Sequence, residues 1–140
     1  MLDPTNLQEV VKYAKTLSVL YVEDNEETRN ATLMMLENFF DFVTVGINGK
    51  DGLDKFSNTK YDLVLSDINM PVMNGIDMVK SIRLEDEAVS IIMISAHNEK
   101  DFRDNASKYN LDEYMIKPTN FNNFIKVISQ TVEKIYNKKI

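Results

Sequence analysis

The chain has 140 residues, 44% of them hydrophobic, which is enough for one core of ordinary domain size and too many for a disordered chain. Its net charge of −6 argues against nucleic acid as the main partner, because phosphate binding needs a basic surface. It has no cysteine, so disulfides and thiolate metal ligation are excluded; no apolar run approaches the roughly 18 residues of a membrane span. The first residues, MLDPTNLQEVV, lack the basic and apolar blocks of a secretory signal, and a cytoplasmic location is the expectation.

Residues 3–15 are predicted helical, with Leu7, Val10, Val11 and Ala14 on one stripe. Either Asp3 or Thr5, the latter with Gln8 as a capping box, would start this helix. LSVLYV (17–22) is the first strand and ends on Glu23, Asp24 and Asn25. A helix over 26–39 follows, its buried face drawn from Ala31, Met34, Met35 and Phe39. FVTV (42–45) is a second strand, and Asn48-Gly49 turns into a helix near 50–58. Leu63, Val64 and Leu65 form an apolar run without alternation, which suits a strand buried on both faces. That run stops on Asp67 and the turn residues Asn69, Pro71, Asn74 and Gly75. A helix over 75–84, the strand SIIMIS (90–95) and a polar helix over 98–108 come next. EYMI (113–116) is a short fifth strand ending on Lys117-Pro118. Phe121, Phe124, Ile125, Ile128, Val132 and Ile135 mark a long amphipathic helix, whose lysines Lys134, Lys138 and Lys139 read as its solvated end.

Five strands alternating with helices predict an α/β fold with a parallel sheet covered on both faces, flavodoxin-like, in the order 2-1-3-4-5. An N-terminal helical extension (1–16) would precede the main domain (17–140). In such a sheet the crevice opens at the carboxyl ends of strands 1 and 3, the two that end on acids. Glu23, Asp24, Asp67, Ser95 and Lys117 would therefore meet at one edge. Three gathered carboxylates stay ionised together when a cation sits among them. An all-oxygen set selects a hard divalent ion, Mg²⁺ above all, with Mn²⁺ as the alternative. A lysine and a hydroxyl opposite the acids suit a phosphoryl group held between metal and ammonium.

These residues resemble the receiver domain of two-component response regulators, the CheY-like family. The matching stretches are LSVLYVEDN, LVLSDINMPVMNG, IIMISA and DEYMIKP, collinear over about 17–136. The resemblance implies that Asp67 accepts a phosphoryl group from a histidine kinase or phosphotransfer protein. Asp24, Asp67 and the Asn69 backbone carbonyl would bind the metal, with Glu23 acting through a water. Lys117 and Ser95 would contact the phosphoryl oxygens, and Ser95 with Tyr114 would form the switch. It also implies a cis peptide at Lys117-Pro118. His97, the only histidine, would stand at the site's rim and influence water access, a solvent-exposed bystander being the alternative.

Two features depart from the family pattern. Asn110-Leu111 replaces a Gly-Ala pair, and asparagine tolerates the left-handed backbone such a loop needs. Thr119 stands where phenylalanine is usual. The output would be a changed surface around the helix over 98–108, the fifth strand and the last helix, read by an output partner or output domain. Homodimerisation through the last helix is a further expectation. A receiver-fold interaction module without phosphorylation is the alternative reading. An aspartyl-nucleophile phosphatase is a weaker one, since Asn69 stands where such enzymes carry a second acid.

Overall fold

The computed structural model describes residues 2–95, 104, 108–117 and 120–139. In chain order the elements are α1 (Leu7–Ala14), β1 (Ser18–Val22), α2 (Glu26–Leu36), β2 (Phe42–Gly46), α3 (Gly49–Asn58), β3 (Leu63–Asp67), α4 (Gly75–Glu85), β4 (Ser90–Ser95), β5 (Glu113–Ile116) and α5 (Phe121–Lys139). Of the helix expected over 98–108 only Asp104, which is helical, and Lys108, in a turn, are among the described residues; His97 and Pro118 lie outside them. The strands form one parallel sheet in the order β2-β1-β3-β4-β5. This is the expected flavodoxin-like order. No described helix is long and apolar enough to cross a membrane.

The sheet separates two apolar layers. Val19, Tyr21, Leu65, Ile92, Ile94 and Met115 face a core closed by α1, α2 and α5. Leu20, Val22, Val64, Ile91 and Met93 face the other, closed by α3 and α4. Both faces of β1, β3 and β4 are thus covered. That is why these three strands read as continuous apolar runs, while the edge strands β2 and β5 do not.

Asparagine starts every described helix. The side chains of Asn6, Asn25, Asn48, Asn74 and Asn120 each accept the amide N–H of the residue three further on, at 3.3, 2.8, 2.8, 2.9 and 2.7 Å. This corrects the expected start of α1. Asp3 and Thr5 are engaged with each other, the Thr5 amide and hydroxyl both donating to Asp3 Oδ1, at 2.9 and 2.6 Å. Asn6 is left to cap, and the helix begins at Leu7.

The buried face of α2 is also corrected. Ala31 and Met34 are exposed, Met34 at 72%, and Leu36 is buried instead. The inward stripe passes through Thr28, Thr32, Met35 and Leu36, and Thr28 and Thr32 line an open cleft. The helix ends at Leu36, whose carbonyl accepts the Phe39 and Phe40 amides as the chain turns and buries both rings.

α1 packs on this domain. Val10 and Ala14 are fully buried, and Tyr13 meets Tyr136 of α5 edge-on with ring centroids 5.1 Å apart. Lys134, Lys138 and Lys139 stay about half exposed, yet each reaches an acid at the amino ends of the strands: Glu113 at 3.8 Å, Asp112 at 3.8 Å and Asp62 at 2.6 Å. Asn110 has φ 54°, the left-handed backbone its residue type accommodates.

The loop after β3 is tightly folded. The Met73 amide donates to the Pro71 carbonyl at 2.8 Å around Val72, whose φ is 70°, an unusual value for a β-branched residue. The Gly75 amide donates to the Ile68 carbonyl at 2.7 Å, and a Cβ at Gly75 would overlap the carbonyl oxygen of Asp67. Gly75→Ala is expected to cost about 3 kcal/mol or more, since backbone must move to admit the methyl. Urea unfolding would read this as a lower midpoint at unchanged slope. A loss below about 0.5 kcal/mol would show that the loop gives way easily.

Candidate functional site

Strand register assembles the site. Val22 of β1 pairs with Ser66 of β3, so Glu23 and Asp67 leave the sheet side by side, with Asp24 next along the chain. Ser95 pairs with Ile116, and the Lys117 amide donates to the Ser95 carbonyl at 2.7 Å, which delivers the lysine to the same edge. The sheet therefore gathers the acids and the lysine expected from their strand ends.

Carboxylate oxygens of Glu23, Asp24 and Asp67 all lie within 4.8 Å of one another. Lys117 Nζ sits 2.7 Å from Glu23 Oε1 and 3.2 Å from Asp67 Oδ2. Glu23 and Asp67 are buried, while Asp24 is exposed. The other oxygens of the two buried acids are engaged by backbone. Asp67 Oδ1 accepts the Ile68 amide at 2.8 Å, and Glu23 Oε2 accepts the Asn25 amide at 3.3 Å. Glu23 thus has a partner on each oxygen, which suits a part played through a water better than direct ligation. Asp24 lies at the mouth.

Charge at this site is unevenly balanced. Local desolvation pushes the Asp24 carboxyl above its ordinary pKa, the hydrogen bond and charge of Glu23 add to this, and Lys117 opposes it. Burial alone would lower the Lys117 ammonium. The Glu23 hydrogen bond and the charges of Asp67 and Glu23 outweigh that, so its pKa rises and it stays charged throughout the neutral range. Among the described residues the three carboxylates outnumber the cations nearby, the Lys117 ammonium and the Arg29 guanidinium behind the Glu23–Asp24 main chain, which leaves an excess of negative charge among oxygen donors. That donor set fits a hard divalent cation.

The other expected residues lie around this centre. Ser95 is buried at the end of β4, and Tyr114 on β5 is half-buried against the α3–α4 side of the sheet. Asn69 is exposed in the loop two residues beyond Asp67. Two neighbours of the site escape sequence reasoning. Arg29 of α2 donates from Nη1 to the carbonyls of Glu23 (2.9 Å) and Asp24 (3.4 Å). Tyr21, fully buried, has its phenol pushed up in pKa by desolvation, with the charges of Glu23 and Asp67 adding to this. The signal for Arg29 was a cation near the start of a helix, the end where the helix dipole disfavours one. Beside the site, a cleft of about 490 Å³ runs between α2 and the β5–α5 corner, lined by Thr28, Thr32, Met35, Met115, Lys117 and Phe124.

A sheet of this order with acids at the ends of β1 and β3 and a lysine after β5 defines a receiver-type protein. The model of the response regulator receiver domain matches residues 19–129, and the chain belongs to that family. It is 32% identical over 124 residues to the transcriptional regulatory protein MalR of Bacillus subtilis, a match covering 86% of this chain and 53% of MalR. It is 32% identical over 100 residues to the chemotaxis protein CheY of Halobacterium salinarum, covering 71% of this chain and 83% of CheY. The chain spans about half the length of MalR and of similar regulators such as CtrA of Caulobacter vibrioides.

Among solved structures, a CheY-like receiver domain from Methanospirillum hungatei superposes with a TM-score of 0.80 at 21% identity, covering 87% of this chain and 98% of that one. The receiver domain of a sensor histidine kinase from Pseudomonas aeruginosa, which holds magnesium in its active-site cleft, gives 0.74 at 23% identity, covering 84% and 98%. At those identities the likeness is one of fold.

Proposed function

We propose that this receiver accepts a phosphoryl group on Asp67 from a histidine kinase or phosphotransfer partner, in a reaction that needs Mg²⁺. The observation that supports it most is the setting of Asp67: a buried carboxylate clustered with Glu23 and Asp24, with the Lys117 ammonium bridging it to Glu23 at 3.2 and 2.7 Å. Asp24 and Asp67 would ligate the ion with the Asn69 carbonyl, and Glu23 would hold one of its waters. Bound there, Mg²⁺ would supply positive charge against the oxygens of the incoming phosphoryl group.

Asp67 would attack as a carboxylate, a nucleophile that needs no general base. One of its oxygens forms the new bond to phosphorus as the bond to the donor imidazole breaks, and that electron pair returns to the imidazole nitrogen. Lys117, held by Glu23 beside the attacking carboxylate, is placed to neutralise a phosphoryl oxygen once transfer begins. The added charge of about −1.5 to −2 is what Ser95 and Tyr114 would answer to, as hydroxyl ligand and switch ring. Ile116 and Phe121, exposed at the β5–α5 corner, belong to the surface that an output partner or a second copy would read. Residues 1–16 would form an extension outside the receiver unit of 17–140.

Intact mass spectrometry after incubation with acetyl phosphate tests the reading. The chain is expected to gain one phosphoryl group, about 80 Da, with Mg²⁺ and none with EDTA. No gain, together with no binding of beryllofluoride, would leave a receiver-fold interaction module as the better description.

A further inference from the structure

The acids of this site differ in how firmly the fold holds them. Asp67 closes a strand paired on both sides, and Glu23 retains a ladder bond, its amide donating to the Gly46 carbonyl at 3.0 Å. Asp24 lies past the end of β1, exposed, before α2 begins at Glu26. Asn25 fixes the far side of this link by capping α2 through the Thr28 amide. On the near side, Arg29 Nη1 reaches back over the first turn and takes both the Glu23 and the Asp24 carbonyls.

Arg29 holds a position that a helix does not favour for a cation. It lies near the amino end of α2, where the helix dipole is positive, and its neighbours Glu26 and Glu27 supply the usual first-turn acids. The two carbonyls offset that disadvantage. They also fix the peptide between Glu23 and Asp24, and with it the direction in which the Asp24 carboxylate leaves the backbone. Asp24 is not among the groups whose carboxylates Arg29 contacts; the guanidinium acts on it through the main chain.

We infer that Arg29 is a positioning residue for the divalent-cation site: it pins the Glu23–Asp24 main chain so that the Asp24 carboxylate is already aimed at Asp67 before the ion arrives. This rests on the metal reading above. Such support around a ligand commonly governs metal affinity by about tenfold or more. The effect is pre-organisation, so it is visible in the metal-free protein.

The test follows Mg²⁺ binding by amide chemical shifts in the parent, Arg29→Met and Arg29→Lys, with hydrogen exchange of the Asn25 amide measured without metal. Arg29→Met is expected to weaken Mg²⁺ binding about tenfold and to speed Asn25 exchange, while Arg29→Lys, which can still reach one carbonyl, recovers part of both. Should Arg29→Met fail to fold, Arg29→Gln takes its place. A Mg²⁺ affinity within twofold of the parent, unchanged metal-free exchange, or no recovery in Arg29→Lys would each overturn the inference. A parent that binds no Mg²⁺ would instead remove the metal reading beneath it.

Discussion

Asp67→Ala is expected to abolish the mass gain of about 80 Da that the parent shows with acetyl phosphate and Mg²⁺, while leaving the chain folded. The fold tolerates the change because little depends on that side chain. The Ile68 amide, which donates to Asp67 Oδ1, also lies 3.1 Å from the Ile94 carbonyl and keeps that partner. Lys117 retains Glu23 at 2.7 Å. Losing one of three clustered carboxylates also relieves repulsion, which offsets the lost contact with Lys117. Intact mass and far-UV circular dichroism on the same sample would decide it. A folded variant that still gains the phosphoryl group would place the acceptor elsewhere.

Lys117→Met should separate the two halves of the site. Without the ammonium, the phosphoryl oxygens lose a charge partner at the moment of transfer, and phosphorylation should slow by about 100-fold or more. Mg²⁺ binding should hold or strengthen, because the variant removes a competing cation and leaves all three acids. Stability responds in the opposite sense. The Glu23 side chain is only 1% exposed, and removing its cation strands a buried charge, a change that costs about 3 kcal/mol. Urea unfolding should show that loss in EDTA and a partial recovery in excess Mg²⁺, as a ligand bound only by the folded state requires. Equal losses in both conditions would mean that the three carboxylates do not gather a cation.

The centre of the site was legible because strand ends announce themselves. Leu63–Leu65 and Ser90–Ser95 are short apolar runs, bounded by turn signals, that suit a doubly covered strand, and each stops on a polar residue at the edge where a parallel sheet presents its chemistry. Order along the chain then fixed which ends meet. The face of α2 was not legible, because its inward stripe carries Thr28 and Thr32, and hydrophobicity alone pointed to Met34 instead. Nothing local distinguishes a threonine bordering a cleft from one in solvent. Asn6 was passed over for a similar reason: Asp3 and Thr5 are equally good caps in isolation, and only their engagement with each other removes them. Arg29 contacts carbonyls, which every residue has, so no pairing of side-chain types could reveal it.

The seat of α1 has a consequence for how the chain reaches this structure. Val10, Ala14 and Tyr13 find their partners largely in the last helix, with Tyr136 against Tyr13. Of the helices described, the first to be synthesised must therefore wait for the last. Alone, eight residues are too few to hold a helix in water. α1 is thus bound to order late, after the sheet and α5 have formed, and its docking closes a loop that contains the whole sheet. Until α5 has been made, the apolar stripe of α1 has no surface to cover it, an interval in which a growing chain is exposed to wrong contacts.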